Sequence, residues 1–234
     1  MSDRERLLAQ LRGRIELERW FGVEWLPRST AQRPAAPVSR EAPRTTGSAS
    51  ALAAIGAEAA GCTKCGLSRT RKNVVFGVGN PAARLVLVGE APGMHEDETG
   101  EPFVGAAGGL LTRMLAKIEL AREDVYICNV IKCRPPQNRS PTIEEKAHCS
   151  PFLFRQLEAI APQAILALGG HAAKTLLDLP PETTTGSLRG RLHRWRETPV
   201  VVTYHPAYLL REPQDRWKSL DDLLMVKKVL VGEV

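Results

Sequence analysis

The sequence predicts an α/β protein: a three-layer α/β/α domain built on a central four-stranded parallel sheet. Three observations carry that expectation. Four short apolar or β-branched runs stand out, at 84–88, 125–131, 164–168 and 200–203. Segments with helical periodicity separate them, for example 110–118 and 143–160. Alternation of strand and helix implies parallel strands with helices on both faces. The runs are also apolar almost throughout, as strands buried on both sides must be.

The first elements precede that sheet. Residues 1–26 form one segment, read as an amphipathic helix: Ser2 and Glu5 fit a capping box, and Leu8, Leu11 and Ile15 recur near helical spacing. Its expected role is docking or contact with another protein. Residues 27–50 hold four prolines, four arginines and a single acid, with no hydrophobic period. That composition reads as a basic, partly extended linker. The main domain then spans 51–234 and opens with a short alanine-rich helix through Ala60.

Composition excludes several classes. The 234 residues are 43% hydrophobic and 25% charged, which rules out collagen-like and wholly disordered chains. No apolar run is long enough to cross a bilayer, and the charged N-terminus lacks a signal-peptide core. A cytoplasmic, monomeric protein is the expectation. The net charge of +6 permits a polyanionic partner without requiring one.

In open parallel sheets, ligands bind beyond the carboxyl ends of the strands. The residues there are Gly89-Glu90-Ala91-Pro92-Gly93 after the first strand and Asn129 in the second, with Lys132-Cys133-Arg134 beyond it. The third strand leads to Gly169-Gly170-His171 and the fourth to Tyr204-His205-Pro206. A carboxylate (Glu90), a carboxamide (Asn129) and an imidazole (His205) are therefore expected on one rim. Asn129 is odd inside an apolar strand, because a buried carboxamide needs partners for its hydrogen bonds. The other four histidines, His171 among them, carry no comparable context. The loop 100–108 is rich in glycine and opens a helix, so its free N–H groups are candidates for holding an anion. Phe103 within it is a core residue or a platform for a flat ring. The stretch 186–196 carries four arginines and no acid, a solvated face or a nucleic-acid footprint.

The cysteines are more specific. Cys62 and Cys65 form a CxxC, and Cys133 and Cys149 come later with fifteen residues between them. Four thiolates suit a tetrahedral zinc or a 4Fe–4S cluster, and the spacing does not choose. Cys128 reads as a buried free thiol.

Taken together, Gly89-Glu90-Ala91-Pro92-Gly93, Glu96-Asp97, Gly100-Glu101-Pro102-Phe103-Val104-Gly105, Asn129, Lys132-Cys133-Arg134-Pro135-Pro136 and Thr203-Tyr204-His205-Pro206 with Leu210-Arg211 resemble the family 4 uracil-DNA glycosylases, the iron–sulfur type of bacteria and archaea. The resemblance covers about 51–230. It implies a monofunctional hydrolase that cuts the bond between uracil and deoxyribose in single- or double-stranded DNA, leaves an abasic site and so initiates base excision repair. It implies a substrate pocket of Gly89, Glu90, Ala91, Phe103, Asn129 and His205, with Glu90, Asn129 and His205 catalytic. It implies a structural 4Fe–4S cluster on Cys62, Cys65, Cys133 and Cys149. Leu209 or Leu210 is expected to wedge into the base stack while Arg211 meets phosphate. Two departures stand out: Ala207 where many relatives have serine, and Met94-His95 where acids are common. The segment 134–142 lacks the basic, histidine-bearing insertion of a branch that cross-links to DNA. The rival expectations are a non-catalytic binder of uracil or abasic DNA and a zinc-stabilised nucleotide-binding module.

Overall fold

The computed structural model describes residues 45–233, so the expected helix over 1–26, and the expected linker up to residue 44, lie outside the described residues. The first described helix, α1, runs Thr45–Ala60, six residues earlier than the sequence pattern suggested. Its Leu52, Ile55 and Ala59 are buried, and Ile55 and Ala59 pack with Phe152 of a later helix. The helix thus begins within what composition alone read as linker.

The remaining elements alternate as expected. Strands β1 (Val78–Gly79) and β2 (Leu85–Gly89) precede helices α2 (Met94–Thr99) and α3 (Ala106–Ala116). Strand β3 (Tyr126–Asn129) leads to α4 (Ile143–Ile160), and β4 (Ala164–Leu168) to α5 (Gly170–Leu177) and the short α6 (Thr185–Leu188). A hairpin of β5 (Leu192–Trp195) and β6 (Thr198–Thr203) precedes α7 (Pro206–Arg211) and α8 (Arg216–Val231).

The sheet has six strands in the order β1-β3-β2-β4-β6-β5. Its four central strands, β3, β2, β4 and β6, are mutually parallel, as the sequence indicated. The two added edge strands are antiparallel: β1 against β3 and β5 against β6. Neither was legible in the sequence. β1 is only two residues long, and β5 lies in the arginine-rich stretch with Leu192 and Arg194 exposed. Both behave as edges do, short or charged, which discourages pairing with another chain.

Side chains alternate across the central strands. Val86, Val88, Ile165, Ala167, Val200 and Val202 join Leu153 and Leu157 of α4 and Ala172, Ala173 and Leu176 of α5 in one core. Leu85, Leu87, Leu166, Leu168 and Val201 join Leu111 and Met114 of α3, Leu209 of α7 and Leu223 and Val226 of α8 in the other. Two cores on opposite faces of one sheet make the three layers.

Each arginine of the run 186–196 has a partner within the protein, although Arg191, Arg194 and Arg196 remain exposed. Arg189 pairs with the fully buried Asp222 at 3.1 Å, Arg191 donates to the Ser187 carbonyl, and Arg196 pairs with Glu158 at 2.7 Å. Removing one partner of a buried pair strands the other charge. Asp222→Ala is therefore expected to lower stability by about 3–5 kcal/mol. The check is a urea unfolding curve whose midpoint falls while its slope is unchanged.

Candidate active site and four-cysteine centre

Parallel register decides where the functional side chains end up. Gly89 pairs with Asn129 across β2 and β3, and Leu168 pairs with Thr203 across β4 and β6. The strands therefore finish at one level, and the residues directly after them share one rim. A cavity with about 1160 Å³ of open space sits there, lined by Glu90, Ala91, Phe103, Asn129, Ser140, His205 and Arg211 among others. Of the residues assigned to the base pocket from sequence, Glu90, Ala91, Phe103, Asn129 and His205 line it.

Gly89 acts by what it lacks. A Cβ at that position would stand 2.3 Å from Asn129 Oδ1 and 2.7 Å from Phe103 Cζ. Only hydrogen there lets the carboxamide and the phenyl ring close over the end of β2.

Asn129 is buried, and its Oδ1 has no hydrogen-bond partner. Its main chain is fixed instead. The buried Lys132 ammonium donates to the Asn129 carbonyl at 2.7 Å and also to Gln156 Oε1. Gln156 in turn donates to the Phe76 carbonyl and the Tyr126 hydroxyl. Burial pushes the Lys132 pKa down. Glu90 Oε1 is the second buried oxygen without a hydrogen bond at this rim. Burial raises the Glu90 pKa, against the pull of Lys146, the Ser140 hydroxyl and Lys174.

Phe103 is buried in the left-handed region at φ 56°. That conformation costs a bulky residue about 1–3 kcal/mol and is kept where surrounding structure insists on it. The insistence comes from two sides. A Cβ on Gly108 would lie 1.8 Å from the Phe103 carbonyl oxygen, so the chain folds back directly against α3. On the other side, Glu96 Oε1 accepts from the Val104 and Gly105 amides at 3.1 and 3.2 Å, and Glu96 Oε2 from the Gly93 amide at 3.1 Å. This corrects the expectation for the loop 100–108: the amides of Val104 and Gly105 hold an internal carboxylate rather than standing free for a bound anion. The Phe103 ring lies 5.6 Å from that of His205, centroid to centroid, tilted by 32°.

His205 caps α7, and its Nδ1 accepts from the Ala207 amide at 3.1 Å. An amide can only donate, so Nδ1 must carry a lone pair and the ring proton must sit on Nε2. Burial, reinforced by the Arg211 cation, lowers its pKa to about 4. His205 is thus a neutral imidazole presenting one N–H. The contact uses the backbone of Ala207, so the missing serine hydroxyl leaves the imidazole's orientation untouched.

Two expectations need revision. Leu209 is fully buried in the core beneath α7 and cannot reach a DNA stack, whereas Leu210 is 37% exposed beside the exposed Arg211. Consecutive helical residues point about 100° apart, and the sequence Leu209-Leu210 does not say which one faces inward. His171, given no role from sequence, has its Nδ1 3.5 Å from Glu90 Oε1. Its place in Gly169-Gly170-His171, directly after β4, was the available signal. Glu96 was visible in the Glu96-Asp97 motif, but its clamp on the loop was not.

Cys62, Cys65, Cys133 and Cys149 line one cavity on the α1–α4 side, with about 370 Å³ of open space. The Arg71 guanidinium donates to Cys133 Sγ and the Lys132 amide to Cys149 Sγ, both at 3.2 Å. Burial raises both thiols, Cys149 to about 11. Among the described residues, no three His, Cys, Asp or Glu side chains are gathered closely enough to hold a single metal ion. Cys128 is a buried free thiol, as read from the sequence.

A parallel α/β sheet with a carboxylate, a carboxamide, an imidazole and a strained phenylalanine around one cavity defines a class of ring-binding sites, and the comparisons with known proteins give that class its name. Residues 76–226 match the family model described as the uracil DNA glycosylase superfamily. A type-4 uracil-DNA glycosylase of Archaeoglobus fulgidus is 53% identical over 161 residues, covering 66% of this chain and 81% of the relative. One from Thermotoga maritima is 47% identical over 175 residues, covering 74% and 91%. A type-5 uracil-DNA glycosylase of Pyrobaculum aerophilum is 35% identical over 146 residues, covering 56% and 64%. The chain belongs to the uracil-DNA glycosylase superfamily, among its type-4 members.

The tautomer of His205 has a direct readout. Its ring is expected to stay neutral down to about pH 4, with the proton on Nε2. Nitrogen-15 NMR of the imidazole checks this; titration near the ordinary histidine value of about 6.5 contradicts it.

Proposed function

We propose that this protein excises uracil from DNA by hydrolysing the N-glycosidic bond of an extruded deoxyuridine, leaving an abasic site. The observation that carries the reading is the pair of buried oxygens, Asn129 Oδ1 and Glu90 Oε1, that lack hydrogen bonds in one cavity. Each unmet buried acceptor costs about 1–3 kcal/mol. Two at one rim are tolerated where a ligand completes them.

Uracil offers what these groups lack. Its N3–H can donate to Asn129 Oδ1, and its O4 can accept from the carboxamide nitrogen. Cytosine reverses donor and acceptor at those positions, so it would leave buried groups unpaired and be rejected strongly. A base must leave the duplex to enter such a cavity, at a few kcal/mol of unstacking. The Phe103 ring supplies a flat surface for it to stack on.

Bond cleavage leaves negative charge on the departing base and positive charge on the sugar. The Nε2–H of His205 donates to the oxygen where that negative charge gathers. A neutral donor suffices here, because such a fixed hydrogen bond is worth about 3–4 kcal/mol in the transition state. Glu90 faces the sugar side, where a carboxylate orients water or steadies the cation. Arg211, which lines the cavity, and the exposed Leu210 beside it are the groups available to DNA phosphate and base stack.

The four-cysteine cavity fits a 4Fe–4S cluster better than one zinc ion. All four thiols line one cavity, and two N–H groups donate to their sulfurs, the setting such clusters use. When bound, the cluster supplies a covalent tie between the Cys62–Cys65 segment, the chain after β3 and helix α4. Bacterial or archaeal cytoplasm is the setting that goes with this reading, given the organisms of the relatives.

A uracil-bearing oligonucleotide, incubated with the protein and then treated with alkali, is expected to break at the uracil position. Retained binding without breakage favours a non-catalytic binder. His205→Ala should slow single-turnover excision by about a hundred- to a thousandfold. Asn129→Asp should lose uracil excision, because a carboxylate cannot donate to O4. Purified protein is expected to carry iron and acid-labile sulfide in equal amounts; stoichiometric zinc instead would reject the cluster.

A further inference from the structure

Beyond the groups that touch the base, a short chain of titratable side chains runs outward from Glu90. His171 Nδ1 lies 3.5 Å from Glu90 Oε1 and 3.2 Å from the Lys146 ammonium. A lysine ammonium only donates, so His171 Nδ1 accepts from it, and the imidazole is neutral with its proton on Nε2. The same nitrogen therefore neighbours both cation and carboxylate without bonding the carboxylate oxygen. Had Lys146 reached Glu90 directly, Oε1 would be filled. With the ring beside both, the carboxylate feels the charge and Oε1 is left without a hydrogen bond.

The structure assigns Lys146 and His171 as positioning residues for Glu90: Lys146 keeps it ionised, and His171 keeps the ammonium off Oε1. This rests on the reading of Glu90 as the carboxylate of uracil excision. The neighbouring charges agree with it. Helix α4 offers Lys146; α5 offers His171 and Lys174, whose Nζ is also bonded to the Pro181 carbonyl. The loop before α4 brings the Ser140 hydroxyl and the Arg139–Glu145 pair, whose charges cancel at 2.6 Å. Across the cavity stand neutral His205, Glu96, itself bonded to three backbone amides, and Arg211. Burial raises the Glu90 pKa and Lys146 is the strongest influence against it, while His171 is itself held neutral by burial and the same lysine.

Excision needs Glu90 ionised, so the rate rises with pH through its pKa, and loss of Lys146 raises that pKa. In single-turnover excision profiles, Lys146→Met is expected to shift the acid limb upward by about one pH unit, and Lys146→Arg to leave it in place. His171→Leu, which lets the ammonium reach the carboxylate, is expected to lower the plateau rate without moving the limb upward. A Lys146→Met limb that superimposes on the wild-type one, or an unchanged His171→Leu plateau, overturns the proposal. Should either variant fail to fold, nitrogen-15 NMR of wild-type His171 decides: a proton on Nε2 and no titration near pH 6.5 support it, and ordinary titration there overturns it. Absence of excision by the wild-type protein would instead defeat the functional reading itself.

Discussion

The parallel register of the four central strands is the constraint on which the site depends. Each strand is fixed to its neighbours by evenly spaced backbone hydrogen bonds, and each is buried on both faces. Gly89 lies beside Asn129 because Val88 lies beside Cys128, and so on down the ladder. A slip of one residue would turn Asn129 into a sheet face and replace it at the rim. The two apolar cores oppose any such slip, because it would exchange their inward side chains across the whole sheet.

Upon that frame, precision comes from backbone groups more than from side chains. The Ala207 amide sets the imidazole tautomer, the Lys132 ammonium holds the Asn129 carbonyl, and three amides fasten Glu96. The cost is concentrated at Phe103, whose left-handed backbone is worth about 1–3 kcal/mol of strain. Burying its ring returns about 1.5–3 kcal/mol. The two are of the same size, so the phenylalanine is held over the cavity at little net expense. The unmet oxygens of Asn129 and Glu90 are not offset in this way within the protein.

The four-cysteine cavity and the active rim are linked through one short stretch of chain. Lys132 sends its side chain to Asn129 and its amide to Cys149, and Cys133 is the next residue. Whatever fixes the cysteines also fixes the end of β3. That arrangement couples the position of the Asn129 carboxamide to the four-cysteine cavity through one residue's side chain and amide.

Much of this was written in the chain. Apolar runs spaced by helical periods gave the four parallel strands, because burial on two faces leaves a plain compositional mark. The residues directly after each strand gave Glu90, Asn129 and His205, because topology alone sends strand ends to one rim. The cysteine pattern gave a common cavity. Tertiary structure decided the rest. The edge strands β1 and β5 are too short or too polar to show a period. Leu209 and Leu210 are chemically alike, and only the docking of α7 sends one into the core and the other to solvent. His171 gains its meaning from Glu90 and Lys146, which stand 81 and 25 residues away along the chain. Local sequence carries periodicity and residue chemistry; which distant groups share a few ångströms is settled only by packing.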